Sequence, residues 1–264
     1  MDELCRSFAS RERLVEYVAE LSPWLDDHGA SPIRGGATVA HDRLRELNPT
    51  EYGRTRNFLQ GAVTGLSPYI RHGVLTLDAV RNEALRRCER PEQIEKFIQQ
   101  LAWRDYWQRV YQRNPEWIWN DVEPYKTGYT ADDYAPELPD DIAAGATGVA
   151  CIDQFIAVLR HSGYLHNHAR MYLASYVVHW RRISWQAGAR WFLHHLLDGD
   201  PASNNLSWQW VASTFANKPY IFNLENVRKY ADSSINVAAE DNAILDAGYD
   251  ELAQRLFPRL QRHA

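Results

Sequence analysis

The residues best able to do chemistry lie together in "DGDPASNNLSWQWVAST", residues 198 to 214. Asp198 and Asp200 flank Gly199, Asn204 and Asn205 follow, and a single residue separates Trp208 from Trp210. Carboxylates and amides are unfavourable in a protein interior unless each finds a partner. A chain that needed only a stable core would not concentrate them beside so much indole. A plainer reading also fits the letters: an Asp-Gly turn that ends a helix, followed by an Asn turn.

Other chemistry is weaker on inspection. His166-x-His168 and His194-His195 lack the i, i+4 spacing and the glutamate of HExxH, so no metal site is expected. Cys5, Cys88 and Cys151 are far apart, odd in number and without a CxxC. They suit a reducing compartment and are too few for an all-cysteine cluster. Asn205-Leu206-Ser207 matches a glycosylation sequon by chance, because nothing else suggests secretion. Ten Trp and fourteen Tyr are many for 264 residues. They serve either ordinary packing or a stacking and electron-transfer surface.

These side chains need a scaffold, and the pattern predicts an all-α one. The spacing of Leu14, Val15, Val18 and Leu21 predicts a helix over 3–21, stopped at Ser22-Pro23. A Gly/Pro-rich loop follows through "GASPIRGG". Short helices are expected over 36–47, 68–72 and 76–88, broken by Pro49, Gly61, Gly65 and Gly73. "PEQIEKFIQQLAWRDYWQRVYQR", residues 91–113, is the strongest helical signal, with Pro91 at its first turn. Residues 114–147 read as loop. Helices resume at "GVACIDQFIAVLRHSG" and again over about 167–181 and 184–197, the last with Ser184 as N-cap. No alternating or βαβ pattern is visible. The organisation expected is an N-terminal helix and loop, 1–34, and one helical domain, 35–264.

Three stretches carry a resemblance. "GGATVAHDRLRELNPTEYGRTRNFLQGAVTGLSPYIRHGVLT", "FIQQLAWRDYW" and the run from Thr147 through "HNHAR" to "DGDPASNNLSWQWVAST" resemble the flavin-binding domain of DNA photolyases and cryptochromes. The likeness covers about Gly35 to Asn223 in the family's order and spacing. Family members usually carry an α/β antenna domain ahead of this region. Only 34 residues precede it here, so no antenna chromophore is expected.

The resemblance implies FAD as cofactor. It places Asp198, Gly199 and Asp200 against the flavin ring and adenosine side, Asn204 at flavin N5, and Arg170 in a pair with Asp198. "VTGLS" corresponds to the phosphate loop, with Thr64, Gly65, Leu66 and Ser67 as contacts and Val63 in place of a usual hydroxyl. Tyr52, Arg104, His166 and Asn167 match flavin-contacting positions, and Phe97 stands where a tryptophan is usual. Trp208 and Trp185 match the inner two members of the family's electron-supplying tryptophan chain. The outer position falls at Asp132; Tyr134, Tyr129 and Trp180 remain open as substitutes.

For a flipped pyrimidine dimer, the resemblance supplies Trp103 and Trp210 as aromatic walls, Asn167 and Met171 as polar and thioether contacts, and Arg56 as a phosphate contact. Asn167 and Met171 follow the cyclobutane-dimer branch. Gln100 replaces a usual glutamate, and His168 a usual arginine. The implied function is light-driven splitting of cyclobutane dimers in damaged DNA; with Gln100 and His168 in place of stronger contacts and a net charge of −5, single strands are expected to be favoured. The alternative is a cryptochrome-like blue-light receptor or redox flavoprotein without DNA repair. The uncovered antenna side predicts a homodimer or a partner chain. The acidic start lacks a signal-peptide pattern and no apolar run is long enough to span a bilayer, which predicts a cytoplasmic protein.

Overall fold

In a computed structural model, the structure describes residues 4–23 and 29–260. The chain divides into two units, Met1–Arg34 and Gly35–Ala264. In the first, α1 (Arg11–Leu21) starts at Ser10, whose hydroxyl accepts from Arg13 N. It buries none of its residues, and Leu14, Val18 and Leu21 are exposed. The expected helix over 3–21 is therefore too long. Residues 4–10 are not helical, because the Ser10 cap sets a later start, and residue 3 lies outside the described residues.

The second unit contains α2 (Ala37–Arg45), α3 (Pro49–Thr55), α4 (Ser67–Arg71), α5 (Leu77–Arg86), α6 (Glu95–Arg113), α7 (Asp140–Ala144) and α8 (Ala150–Ser162). It continues with α9 (Asn167–Ser175), α10 (Trp185–His195), α11 (Pro201–Ala212), α12 (Leu224–Tyr230) and α13 (Tyr249–Leu256). Among the described residues the only bridge of β type is the isolated pair Ala135–Ile183. Short polar side chains fix the starts: Asn48, Thr76, Ser184, Asp200 and Asn223 each accept from the backbone N–H three residues on. Glycines in the left-handed region end α7 and α8, at Gly145 and Gly163.

Three boundaries differ from expectation for local reasons. Pro49 begins α3 instead of breaking a helix, since its missing N–H matters little in a first turn. Pro91–Ile94 is a tight 3₁₀ turn that feeds α6. The stretch expected as loop over 114–147 holds two 3₁₀ turns and α7, each opened by a proline or a capping threonine. Beyond α9 the chain widens into a π turn, Tyr176–Trp180, whose first four residues are buried.

Two apolar clusters flank the space that matters. One joins Ala40, Leu66, Tyr69, Phe97 and their neighbours from α2 to α6; the other centres on α8 to α11. α10 and α11 meet where Gly188 faces Trp208. A Cβ on Gly188 would lie 2.2 Å from Trp208 Cη2, so no side chain is tolerated there.

Candidate functional site

α11 has no polar face and no apolar face, because it is enclosed on nearly all sides and its polar groups are shared between two tasks. Asn205 and Gln209 are fully buried and structural. Asn205 Nδ2 donates to Ile118 O at 2.6 Å, and Gln209 accepts from Val122 N and donates to Trp117 O and Asn120 O. Asn205 is thereby closed to glycosylation. Ser203, Asn204, Ser207, Trp208 and Trp210 instead line a cleft of about 410 Å³ between α6 and α9–α11.

The floor of the cleft is an ion pair. Arg170 Nη2 donates to Asp198 Oδ2 at 2.8 Å, and Arg170 Nε holds Leu165 O. Ser67 Oγ donates to the same carboxylate oxygen at 2.6 Å. Asp198 Oδ1 is buried with no partner in the protein, as is Trp208 Nε1. An orphaned buried carboxylate oxygen is expensive, about 1–3 kcal/mol or more, and a bound donor would complete it.

Asp200 works twice. It caps α11 through Ser203 N at 3.0 Å and Ser203 Oγ at 2.6 Å, and both its oxygens accept from Gln108 Nε2 at 2.8 Å. Burial opposes its ionisation, but these hydrogen bonds and the Arg104 charge outweigh burial and hold the carboxyl below its usual range. Arg104 itself is lowered by burial, against the pull of Asp200 and Asp198. α4 clamps this turn from outside: Arg71 Nε donates to Gly199 O at 2.6 Å, and His72 Nε2 meets Leu197 O at 2.9 Å.

Of the residues singled out from sequence, Arg56, Gln100, Trp103, Asn167, Arg170, Met171, Asp198, Gly199, Asp200, Asn204, Trp208 and Trp210 line the cleft. Asn204 Nδ2 is held by Ala189 O and Asn205 Oδ1, which fixes the amide's orientation. Trp103 and Trp210 are half exposed at the mouth, 51% and 42%, while Trp208 is 2% exposed and seated edge-on against Phe192. Asn167 Nδ2 points at Met171 Sδ, 3.5 Å away.

The others stand behind this wall. Thr64 folds back to accept from Leu66 N, and Gly65 has φ 61, a left-handed position that suits glycine. Leu66 and Phe97 are core residues, with Phe97 edge-on to Tyr52 at 5.1 Å. Ser67 spends its hydroxyl proton on Asp198. His166 caps α9, accepting from His168 N, and burial followed by His168 lowers it to about 4, so it is neutral at pH 7. His168 packs edge-on to Tyr230 at 4.8 Å and close to Tyr172, so it does not present a cation to the mouth. Trp185 lies fully buried on α10, one turn from Gly188, and its Nε1 donates to Asp121 at 2.6 Å.

Sequence reading did not single out Trp107, Phe192, Ser203, Gln108 or Asp121. The first four were within reach. Trp103, Trp107 and Gln100 share a face of α6, and Gln108 follows Arg104 by one turn. Asp121 lies in an irregular stretch 64 residues from its partner, and no local pattern reveals it. Among the described residues no group of His, Cys, Asp or Glu could hold a metal, and no helix is long and apolar enough to cross a membrane.

A family model described as the FAD binding domain of DNA photolyase matches residues 97–236, over half of the chain. The chain belongs to that family. Its cofactor is FAD. This FAD-binding domain is 37% identical to the deoxyribodipyrimidine photo-lyase of Streptomyces griseus, over 58% of the chain and 32% of that protein. With the enzyme of the same name from a Synechococcus species, the identity is 30% over 79% of the chain and 46% of the relative. The chain thus spans a third to under a half of the curated relatives' length. Among solved structures, an archaeal photolyase from Sulfolobus tokodaii with two FAD molecules superposes with a TM-score of 0.62. That likeness is 28% identical and covers 76% of this chain and 45% of the other.

The residues present fit FAD. The cleft volume lies within the range of small-molecule sites, its walls are indole and phenyl rings, and its floor offers an unpartnered carboxylate oxygen beside a guanidinium.

Proposed function

We propose that this FAD-binding domain splits cyclobutane pyrimidine dimers in light, favouring lesions in single-stranded DNA. The reading is carried by one arrangement: the Asp198–Arg170 floor with its orphaned Oδ1 lies in the same cleft as two half-exposed tryptophans at the mouth. When bound and reduced, FAD supplies a light-driven electron able to open a cyclobutane ring.

The chain's own residues have separate tasks. Arg170, Asp198, Asp200 and Asn204 hold and orient the flavin ring, with Arg104 beside Asp200. Thr64 to Ser67 form the loop for the diphosphate, where Thr64 keeps a hydroxyl proton to donate and Ser67 acts chiefly through Asp198. Trp208 and Trp185 lead electrons inward. Trp103 and Trp210 sandwich the extruded bases, Asn167 and Met171 contact them, and Arg56 meets a phosphate. Gln100 contributes no charge and His168 is turned into the protein, so neither position adds a cation for duplex DNA. Stacking is worth about 1–3 kcal/mol per base, comparable to the cost of extruding one from a duplex. The balance therefore favours substrates already unpaired. Three unpaired cysteines suit a cytoplasmic protein.

Purified protein should show flavin absorbance. After full reduction it should reverse thymine dimers under blue light in single-stranded oligonucleotides faster than in duplexes, with activity falling steeply as salt rises. Trp210→Ala should slow reversal about tenfold through lost stacking. Flavin-loaded protein that reverses dimers on neither substrate overturns the repair reading in favour of a light receptor.

A further inference from the structure

A run of tyrosines leads from the buried indole of Trp185 to the surface. Asp121, which accepts the Trp185 indole proton at 2.6 Å, also acts by its charge on Tyr125, whose hydroxyl faces the Trp185 backbone N–H. The Tyr125 and Tyr134 rings are stacked, with centroids 4.4 Å apart and planes within 19°. Tyr134 in turn meets Tyr129 edge-on at 6.4 Å, and its hydroxyl is hydrogen bonded to Thr127 Oγ1 at 2.9 Å. Tyr129 is half-buried, with the Arg182 guanidinium 3.8 Å and the Arg259 guanidinium 4.4 Å from its ring centre. On the inner side, Trp208 rests on Gly188, one turn along α10 from Trp185.

We propose that Tyr125, Tyr134 and Tyr129 are the outer electron route of this domain, with Tyr129 as the donor at the surface. The proposal rests on the flavin photochemistry proposed above. Phenols are oxidisable, and each of these rings touches the next. The chemistry differs along the run. Burial raises both Tyr125 and Tyr134, which rest as neutral phenols between Trp185 and Tyr129. Tyr129 is flanked by two cations that oppose a positive charge on its ring, so its oxidation goes with loss of the phenol proton to water, leaving a neutral phenoxyl.

The balance is one electron per event. An electron passes from Trp208 to the photoexcited oxidised flavin and is replaced from Trp185, which is refilled through Tyr125 and Tyr134 from Tyr129. A thiol in solution then returns one electron and one proton to Tyr129, and two thiyl radicals pair as a disulfide. The rival outlets are less suited. Trp180 is tilted against Phe222, a poor donor, and Trp119 lies under the Arg190 guanidinium at 5.0 Å, which opposes a positive charge on its ring.

The test freezes flavin-loaded protein under illumination without thiol and records its electron paramagnetic resonance spectrum. A tyrosyl signal is expected, narrowed when the protein is made with ring-deuterated tyrosine, a readout that needs no substitution. Tyr129→Phe should retain flavin content and thermal midpoint, lose that signal, and photoreduce about tenfold more slowly with thiol. Trp119→Phe should change neither. The wild-type rate should fall in heavy water, because a proton leaves with the electron. A radical unaffected by tyrosine deuteration, or an unchanged rate in Tyr129→Phe, overturns the tyrosine route and leaves flavin photoreduction through Trp208 standing. Loaded wild-type protein that neither photoreduces nor forms a radical overturns both.

Discussion

α1 and α11 are near opposites. α1 has a regular apolar stripe at helical spacing, yet it buries none of its residues. α11 has no regular stripe, yet seven of its twelve residues are buried. Periodicity announces a helix with one wet face, and it fades where a helix is enclosed. The contrast teaches that a functional helix in the middle of a protein is recognised by the polar groups it dares to bury. Asn205 and Gln209 are bonded to the 117–122 segment, and Asp200, Ser203 and Asn204 face the cleft.

The contrast can be broken by substitution. Gly188→Ala should be the most damaging change, because its methyl would overlap Trp208 on α11 and α10 would have to move. Overpacking of this kind destabilises by about 3 kcal/mol, readable as a lower urea midpoint. A variant of unchanged stability would mean that α10 and α11 are not in contact as described.

Asp200→Ala should follow, at about 2 kcal/mol, the upper end for a lost N-cap. It also has a pH signature. The folded carboxyl is held below its unfolded value, so its stabilisation is present above the unfolded pKa and disappears as pH falls through the folded one. Wild type should lose more stability than Asp200→Asn when acidified from pH 5 to about pH 2. Equal slopes would deny the carboxylate its hydrogen bonds.

In α1 the expected effects are small. Ser10→Ala removes the hydroxyl that accepts from Arg13 N, and amide exchange in the first turn should quicken by about 1 kcal/mol of local stability. Leu14→Ala and Val18→Ala should change global stability by less than about 0.5 kcal/mol. A loss of several times that amount would show that the stripe of α1 is covered in solution, and the comparison with α11 would fail.

Much of the architecture was legible because its signals are local. Caps, prolines and glycines marked most helix ends, Ser184 marked the start of α10, and the 3.6-residue stripe marked α8. The cleft was legible through resemblance: the Asp198–Asn204 stretch, "HNHAR" and the α6 aromatics do converge on one cavity. Three things were hidden for physical reasons. The start of α3 was masked by a proline that serves helices as well as breaking them. Asp121 meets Trp185 only through tertiary packing. His168 reads as a surface group, but two tyrosines enclose it.

The widened turn at Tyr176–Trp180 has a consequence for insertion and deletion. A π turn closes from residue i to i+5, so it holds one residue more than the α turn it interrupts. The wider turn therefore absorbs an extra residue and leaves the groups that follow it in register. His179 keeps its reach to Val211 O, and Arg182 its place over Tyr129. Removing one residue from Tyr176–Trp180 would close an α turn and keep that register, whereas a deletion inside α9 would rotate the helical positions after it by about 100° around the axis.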